Sequence, residues 1–319
     1  MLVDVHAHYY PARYTALLAG ANAKSRAGAR TRPDSDKQQD VDARLGMMDA
    51  AGVQMQVLSP ASSAPYLADE QKAAEAARLA NDLYADLVSR YPRRFAAFVS
   101  LPLPHIDASL RELARGLDEL GMAGATMNCS IRNRSSAEAE FEPIYEELHR
   151  RGAALFYHPC QNGICSPMVC DYGFTTSAGA SMEDTVLVLH LIARQIPVRY
   201  PNIKYIVPHF GGMIPTLLNR LDNQAPANHP NLREPPSATA KRLFYDTVGH
   251  GSQPALHSAC QAFGASQLVP GSDFPVLLDF ESYAETFDYI RRSGLPAKDI
   301  HQILHENAPR VLGLHEAAL

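Results

Sequence analysis

The sequence of 319 residues lacks several features that mark particular classes of protein. It has no run of lysine and arginine and a net charge of −5 at pH 7, so we expect no nucleic-acid partner. No stretch approaches the roughly 18 uninterrupted apolar residues of a membrane span, so we expect no membrane partner. Asp4 and His6 stand where a secretion signal needs a basic start and an apolar stretch, and we expect no such signal.

Cysteine is also scarce: the chain has five, and no two of them show the CxxC spacing. An odd count without that spacing predicts free thiols in a reducing cytoplasm, and we therefore expect a cytoplasmic protein. Hydrophobic residues make up 46% of the chain and charged residues 20%, which is ordinary for a globular protein.

Short apolar runs rich in β-formers alternate with longer helical patterns. The helical stretches include Asp69–Tyr91, Ile106–Leu120 and Phe141–Arg151, and a glycine follows each of the last two. Repeated strand–helix units predict a parallel α/β sheet, and eight such units predict a single (β/α)8 TIM barrel over residues 1–319. The eight predicted strands are Leu2–His6, Gln54–Ser59, Phe95–Ser100, Gly124–Asn128, Ala154–His158, Ile203–His209, Leu243–Val248 and Leu268–Asp273.

Two stretches have few large apolar residues and are predicted to be loops. They are Gly20–Asp40 and the proline-rich Asn223–Lys241. Neither separates two halves that could fold alone, so we interpret both as loop insertions rather than linkers. The first, at about residues 20–40, follows strand 1 on the catalytic face of the barrel, and we predict that it acts as a lid.

Polar residues able to bind a metal stand at the ends of several predicted strands. His6 and His8 are two residues apart on strand 1 and therefore point the same way. An isolated HxH pair is a weak signal, but His158, His209 and Asp273 end three other strands. The C-terminal ends of barrel strands form the face on which barrel enzymes place their active sites, so these residues predict a metal centre there.

This ordered set resembles that of the amidohydrolase superfamily. Several sequence segments resemble those of the branch that contains aminocarboxymuconate-semialdehyde, resorcylate and methylsalicylate decarboxylases. The segments are "DVHAHYYP", "YPRRFAAFVSLP", "FEPIYEELHRRGAALFYHP", "IVPHFGGMIP", "FYDT", "GSDFP" and "ENAPRVLGL", and together they cover nearly the whole chain.

The resemblance implies a role for each of these residues. His6, His8, His158 and Asp273 would bind one divalent metal ion, with Zn²⁺ the expected ion and Mn²⁺ also suited to the site. His209 would hydrogen-bond the metal-bound water and act as general base or acid. Members with two metals carry a carboxylated lysine at the end of strand 4, whereas this strand ends in Asn128-Cys129, so we expect one ion. The resemblance also implies a homodimer or a higher homo-oligomer.

The reaction implied by the resemblance is the nonoxidative decarboxylation of a small hydroxylated aromatic or unsaturated carboxylic acid, with His209 or Asp273 moving the proton. The same residues also suit a hydrolase acting on a lactone, ester or amide. A hydratase and an inactive metal-binding scaffold rank lower, the scaffold because every expected ligand is present. One departure from the branch is that Cys160 follows the strand-5 His-Pro pair where a large aromatic residue is common, and the chain has no tryptophan.

Substrate contacts are harder to predict from the sequence. We expect His250, which follows strand 7, to reach the substrate, and Tyr9 and Phe174 to form walls for a planar molecule. Arg30 and Arg32 are the candidates for binding a substrate carboxylate, since a substrate-binding arginine occupies the corresponding region in the aminocarboxymuconate enzyme.

Overall fold

The computed structural model describes residues 1–21 and 37–314 and contains the predicted barrel. Eight strands form one parallel sheet in sequence order, which confirms the (β/α)8 fold. The strands are β1 Val3–His8, β2 Met55–Ser59, β3 Phe95–Ser100, β4 Gly124–Asn128, β5 Ala154–His158, β6 Lys204–Val207, β7 Phe244–Asp246 and β8 Leu268–Val269.

The segment after β8 joins the last strand to the first. The backbone N–H of Val5 donates to Pro270 O over 2.9 Å, and that of His8 donates to Phe274 O over 2.7 Å. Asp273 donates its N–H to His6 O over 2.8 Å. These bonds complete the ring of strands and place Asp273 beside the histidines of β1.

Helices connect the strands and cover the outside of the barrel. The three helices predicted from the sequence are present with ends shifted by at most two residues, as α3, α4 and α5. The helices are α1 Ala12–Gly20, α2 Gln38–Ala51, α3 Glu70–Arg90, α4 Ile106–Asp118, α5 Glu142–Arg151, α6 Pro167–Cys170, α7 Gly179–Ala193, α8 Ile196–Arg199, α9 Ile214–Asn228, α10 Pro236–Ala240, α11 Gln253–Phe263, α12 Glu285–Arg291, α13 Ala297–His301 and α14 Asn307–Leu312.

The two predicted loop insertions have different outcomes. The prediction for Asn223–Lys241 is wrong in part, because α9 continues to Asn228 and α10 occupies residues 236–240. Proline lies in the first turn of α10, where its missing N–H costs nothing. The predicted lid at about residues 20–40 lies mostly outside the described residues, which resume at residue 37 just before α2.

The hydrophobic core has two layers, one inside the barrel and one between the strands and the helices. The inner layer is closed by large residues such as Phe98 and Phe156, whose rings stack 5.4 Å apart. Strand residues of opposite phase, such as Tyr157, pack in the outer layer. Polar side chains in the interior therefore collect above the inner core, at the C-terminal ends of the strands. None of the helices in the described part of the chain is long and apolar enough to cross a lipid bilayer.

Candidate metal centre

Both histidines of β1 face the barrel interior because of an irregularity in this strand. Val3 and Val5 belong to the inner core, whereas Ala7 packs outside. The register between β1 and β2 shifts between Asp4 and Ala7, so that Val5 and the following His6 face the same side. Such a bulge changes the direction of side chains at the end of a strand. His6 consequently sits on the Phe156 ring, with the ring centres 5.0 Å apart.

Four side chains from three places in the barrel converge at this point. The Nε2 atoms of His6 and His8 are 3.2 Å apart. Asp273 Oδ1 lies 2.8 Å from His8 Nε2 and 3.3 Å from His6 Nε2. With the nitrogen of His158, the possible ligand atoms of all four residues lie within 4.8 Å of one another.

The Nδ1 atom of each histidine has its own partner, which leaves Nε2 for the common centre. Nδ1 of His6 lies 2.7 Å from Asp246 Oδ2, and Nδ1 of His8 lies 3.1 Å from Ser59 Oγ. Nδ1 of His158 lies 2.7 Å from the carbonyl oxygen of Pro159. Such contacts fix the ring orientation and the tautomer in metal-binding histidines.

This geometry and chemistry fit a divalent cation. Ligand atoms around a tetrahedral ion with bonds near 2.1 Å are about 3.4 Å apart, close to the spacings of the donor atoms here. Nε2 of His158 is buried and has no hydrogen-bond partner among the described residues, as expected of an atom reserved for a ligand. Three imidazoles and one carboxylate form a donor set that suits Zn²⁺ and also Mn²⁺.

Electrostatics also favour a positive charge at the centre. Burial lowers the pKa of His8 to about 4 and that of His158 well below its usual value, so both rings are neutral donors. Burial opposes protonation of His6, but the carboxylates of Asp246 and Asp273 raise its pKa to about 10. Burial would also raise the pKa of Asp273, yet hydrogen bonds from His6 and His8 hold it well below its usual range. The carboxylates attract a proton to His6, and a metal cation would satisfy the same attraction.

His209 follows β6 directly and lies beside the four converging residues. Its ring centre is 5.4 Å from that of His6. Its Nδ1 lies 2.8 Å from Oδ2 of Asp184, on α7, and its backbone N–H donates to Asp246 Oδ1 over 2.8 Å. Burial opposes protonation of His209, but Asp184 outweighs this effect and the pKa of His209 is raised. Nε2 of this ring has no hydrogen-bond partner among the described residues and is therefore placed to hold a proton.

Two acids at the site were missed by the sequence interpretation. Asp246 is the last residue of β7 and binds both the His6 ring and the His209 backbone. Its position at a strand end in "FYDT" was the signal that could have identified it. Asp184 gave no such signal, because it lies inside a helix far from any strand end.

Backbone geometry at two of the site residues is unusual. Asp273 has φ 62° and His209 has φ 51°, in a region that residues other than glycine seldom adopt. Such conformations persist where the surroundings enforce them, often at functional sites. Nearby, a Cβ on Gly271 would lie 2.9 Å from His6 Cβ and 3.0 Å from Asp246 Cβ, so this close approach requires glycine.

Of the five predicted substrate contacts, the structure describes Tyr9, Phe174 and His250. Tyr9 turns outward and packs near Tyr84, with ring centres 5.9 Å apart. Phe174 is 56% exposed, and His250 is an exposed residue whose Nδ1 lies 3.4 Å from Glu281 Oε1. Arg30 and Arg32 lie outside the described residues.

Comparisons with known proteins agree with this description. The chain is similar to gamma-resorcylate decarboxylase of Rhizobium radiobacter, at 28% identity over 86% of this chain and 87% of that protein. It is similar to 2-amino-3-carboxymuconate-6-semialdehyde decarboxylase of Dictyostelium discoideum at 27% identity, over 86% and 77% of the two chains. A further relative, 2-keto-4-carboxy-3-hexenedioate hydratase of a Sphingobium species, is 24% identical over 100% of this chain and 98% of that protein.

Solved structures share the fold. A 2,6-dihydroxybenzoate decarboxylase in complex with 2,6-dihydroxybenzoate has a TM-score of 0.82 at 25% identity, over 98% of this chain and 99% of that one. A dihydroxybenzoic acid decarboxylase from Polaromonas sp. JS666, with bound manganese and the inhibitor 2-nitroresorcinol, has a TM-score of 0.82 at 24% identity, over 98% and 97%. The amidohydrolase family model matches residues 3–314, which confirms the resemblance seen in the sequence, and the chain belongs to the amidohydrolase family.

Proposed function

We propose that this chain is a metal-dependent nonoxidative decarboxylase of a hydroxylated aromatic or unsaturated carboxylic acid. The observation that carries the proposal is the convergence of His6, His8, His158 and Asp273 beside the ring of His209. The similarity to gamma-resorcylate decarboxylase and to 2-amino-3-carboxymuconate-6-semialdehyde decarboxylase supports the choice of reaction.

The proposed metal ligands are His6, His8, His158 and Asp273, holding one divalent ion, with Zn²⁺ the first choice and Mn²⁺ the second. When bound, the ion polarises an oxygen of the substrate and stabilises negative charge on it. The ligand side chains are held in place by their own partners, so the substrate carboxylate is oriented against a rigid frame.

His209 is the proposed proton donor, and Asp273 is its proposed partner in proton transfer. The proton leaves Nε2 of His209 and bonds to the carbon that bears the carboxylate. The bond from that carbon to the carboxylate then breaks, its electron pair restores the unsaturated system, and CO₂ leaves. Asp184 holds Nδ1 of the ring, so that Nε2 is the atom that faces the substrate.

Hydrolysis is the alternative, because the same metal set can serve attack on an ester, lactone or amide. Release of CO₂ from a panel of hydroxybenzoates by metal-loaded protein, with no turnover of lactones or esters, is the expected result. Turnover of lactones or esters without CO₂ release would replace the decarboxylase with a hydrolase. His209→Asn is the internal control, since it should retain metal and lose most turnover.

We also propose a single-domain chain that acts as a homodimer in the cytoplasm. Several exposed large apolar residues support self-association, because Ile164, Met168, Tyr172 and Phe174 all lie in the segment after β5. Light scattering on the purified protein tests this: a monomer at all concentrations would exclude the homodimer.

A further inference from the structure

Asp4 is a buried acid of β1 that the proposed reaction does not use. It lies two residues before His6 but does not belong to the group of converging ligand residues. Its side chain is fully buried, and its carboxylate accepts hydrogen bonds from five donors. Burying a carboxylate is costly unless it is fully hydrogen-bonded, so the role of this acid follows from the groups that it holds.

The Oδ1 atom of Asp4 joins the two backbone segments that carry three of the proposed ligands. It accepts the backbone N–H of His6 over 3.2 Å and that of Ser272 over 3.0 Å. His6 and His8 belong to β1, whereas Ser272 precedes Asp273 in the loop that follows the short strand β8. One oxygen atom therefore fixes the backbone of the β1 ligands relative to that of Asp273.

The hydroxyl of Ser272 holds the backbone on both sides of Asp273. It donates to Asp4 Oδ2 over 2.6 Å and accepts the backbone N–H of Phe274 over 3.0 Å. Its oxygen also lies 3.3 Å from the carbonyl oxygen of His6. Asp273, with φ 62°, is the residue enclosed by these contacts. A conformation of this kind persists where the surrounding structure enforces it, and Ser272 supplies that restraint.

The remaining two donors connect Oδ2 of Asp4 to other elements. The Tyr283 hydroxyl donates to it over 2.8 Å, and Nε2 of Gln56 donates over 3.2 Å. The Tyr283 hydroxyl also accepts Nε2 of Gln56 over 2.7 Å. Within the described part of the chain, these two side chains form no hydrogen bond to a proposed metal ligand. Tyr283 therefore resembles Ser272 in its contact with Asp4 but not in its contact with the ligand-bearing backbone.

We propose that Asp4 and Ser272 are positioning residues that hold His6 and Asp273 at the spacing required by a metal ion and thereby raise the affinity of the centre for it. Nε2 of His6 and Oδ1 of Asp273 lie 3.3 Å apart in this arrangement. The inference rests on the proposed function, from which it takes the metal ligands. Both residues act through the backbone on either side of a ligand rather than as ligands themselves.

The Zn²⁺ affinity of the purified protein, measured by competition with a chelator, tests this role. Ser272→Ala removes the hydroxyl that restrains Asp273, and we expect it to weaken Zn²⁺ binding by about 10- to 100-fold. Asp4→Ala should weaken binding at least as much, because it releases both backbone segments. Tyr283→Phe is the matched control, since it also removes a buried hydroxyl that donates to Asp4 Oδ2 and keeps its ring. Its affinity should stay close to that of the wild type.

Melting temperatures of the metal-free proteins separate position from stability. Ser272→Ala and Tyr283→Phe should both melt below the wild type, because each loses buried hydrogen bonds. Equal Zn²⁺ affinities of these two variants would overturn the proposal, and their comparison decides the question if Asp4→Ala does not fold. A wild type that binds Zn²⁺ but releases no CO₂ from hydroxybenzoates would reject the decarboxylase, whereas weaker binding by Ser272→Ala alone would still support the positioning role.

Discussion

Nδ1 of His209 lies 2.8 Å from Oδ2 of Asp184, a fully buried carboxylate on α7. This contact joins the loop after β6 to a helix that otherwise packs outside the strands. It directs the opposite nitrogen of the ring toward the candidate metal centre. Burial raises the pKa of Asp184 to about 6, and a proton shared with His209 is stabilised between the two groups.

We predict that Asp184→Asn lowers kcat by about 10²- to 10⁴-fold with little change in KM, because the proton donor loses the charge that supports it. The pH profile should change as well. The wild-type carboxylate raises the pKa of His209, so removing it lowers that pKa. The protonated ring is then lost at lower pH, and the high-pH limb of the activity profile should move to lower pH.

Cys129→Ala is the control for this variant. Its thiol lies 3.5 Å from the other carboxylate oxygen of Asp184 and does not touch His209 in the structure. The pH profile of Cys129→Ala should match the wild type. If Asp184→Asn keeps both its kcat and the wild-type pH profile, the ring of His209 does not depend on this acid.

Asp246→Asn should weaken metal binding by about 10- to 100-fold. The carboxylate lies 2.7 Å from Nδ1 of His6 and supports the ring whose Nε2 faces the centre. The amide keeps an oxygen for the backbone N–H of His209, so the loop after β6 should stay in place. Competition with a chelator measures the affinity for Zn²⁺, and an affinity equal to that of the wild type contradicts the prediction.

The residues that converge were predictable because strand periodicity is visible in the sequence. The strand ends at His158 and Asn128 were placed correctly, since short apolar runs bounded by polar residues mark both ends of β4 and β5. The fold follows from eight such runs. The bulge in β1 was not predictable from the sequence. Apolar and polar residues alternate along this strand, and the alternation does not show that the side chains of Val5 and His6 face the same side.

Residues that act through tertiary contacts were beyond sequence reasoning for a different reason. Asp184 contacts His209 only because α7 packs against the loop that follows β6. The sequence of neither segment indicates that the two are in contact. Tyr9 was expected to form a wall for a planar substrate, and in the structure its ring lies 5.9 Å from that of Tyr84, a contact that the sequence does not indicate. Asn128 belongs to no recognisable motif. An asparagine at the end of a strand is also typical of an ordinary turn, so the sequence does not indicate a role for it.

Glu183→Gln should mainly affect substrate binding. Its buried carboxylate accepts the backbone N–H groups of Cys160, Asn162 and Gly163 over 2.7, 2.8 and 3.0 Å, and so holds a loop that borders a cleft of about 940 Å³. An amide offers fewer lone pairs and places its own N–H groups against these donors. We expect KM to rise about tenfold and the free energy of unfolding to fall by about 1–3 kcal/mol.

Glu75→Gln, at an exposed position on α3, is the matched control for Glu183→Gln and should change neither quantity. Steady-state kinetics on the same substrate and urea unfolding measure the two effects. A lower kcat with an unchanged KM would instead indicate that Glu183 positions the reacting groups rather than the substrate.

Gly271→Ala should disturb the centre directly. The added Cβ would lie 2.9 Å from His6 Cβ and 3.0 Å from Asp246 Cβ, and neither of these atoms can move without its backbone. Overpacking of this kind costs about 1–3 kcal/mol of stability. Because the clash falls between His6 and the acid that orients it, metal affinity should decrease together with the melting temperature.

Gly46→Ala is the control for this variant. Gly46 lies within α2, a Cβ at this position would meet nothing within 4 Å, and alanine favours helix, so stability should stay equal or rise. A Gly271→Ala protein that binds metal and melts like the wild type would show that His6 and Asp246 tolerate displacement at this position.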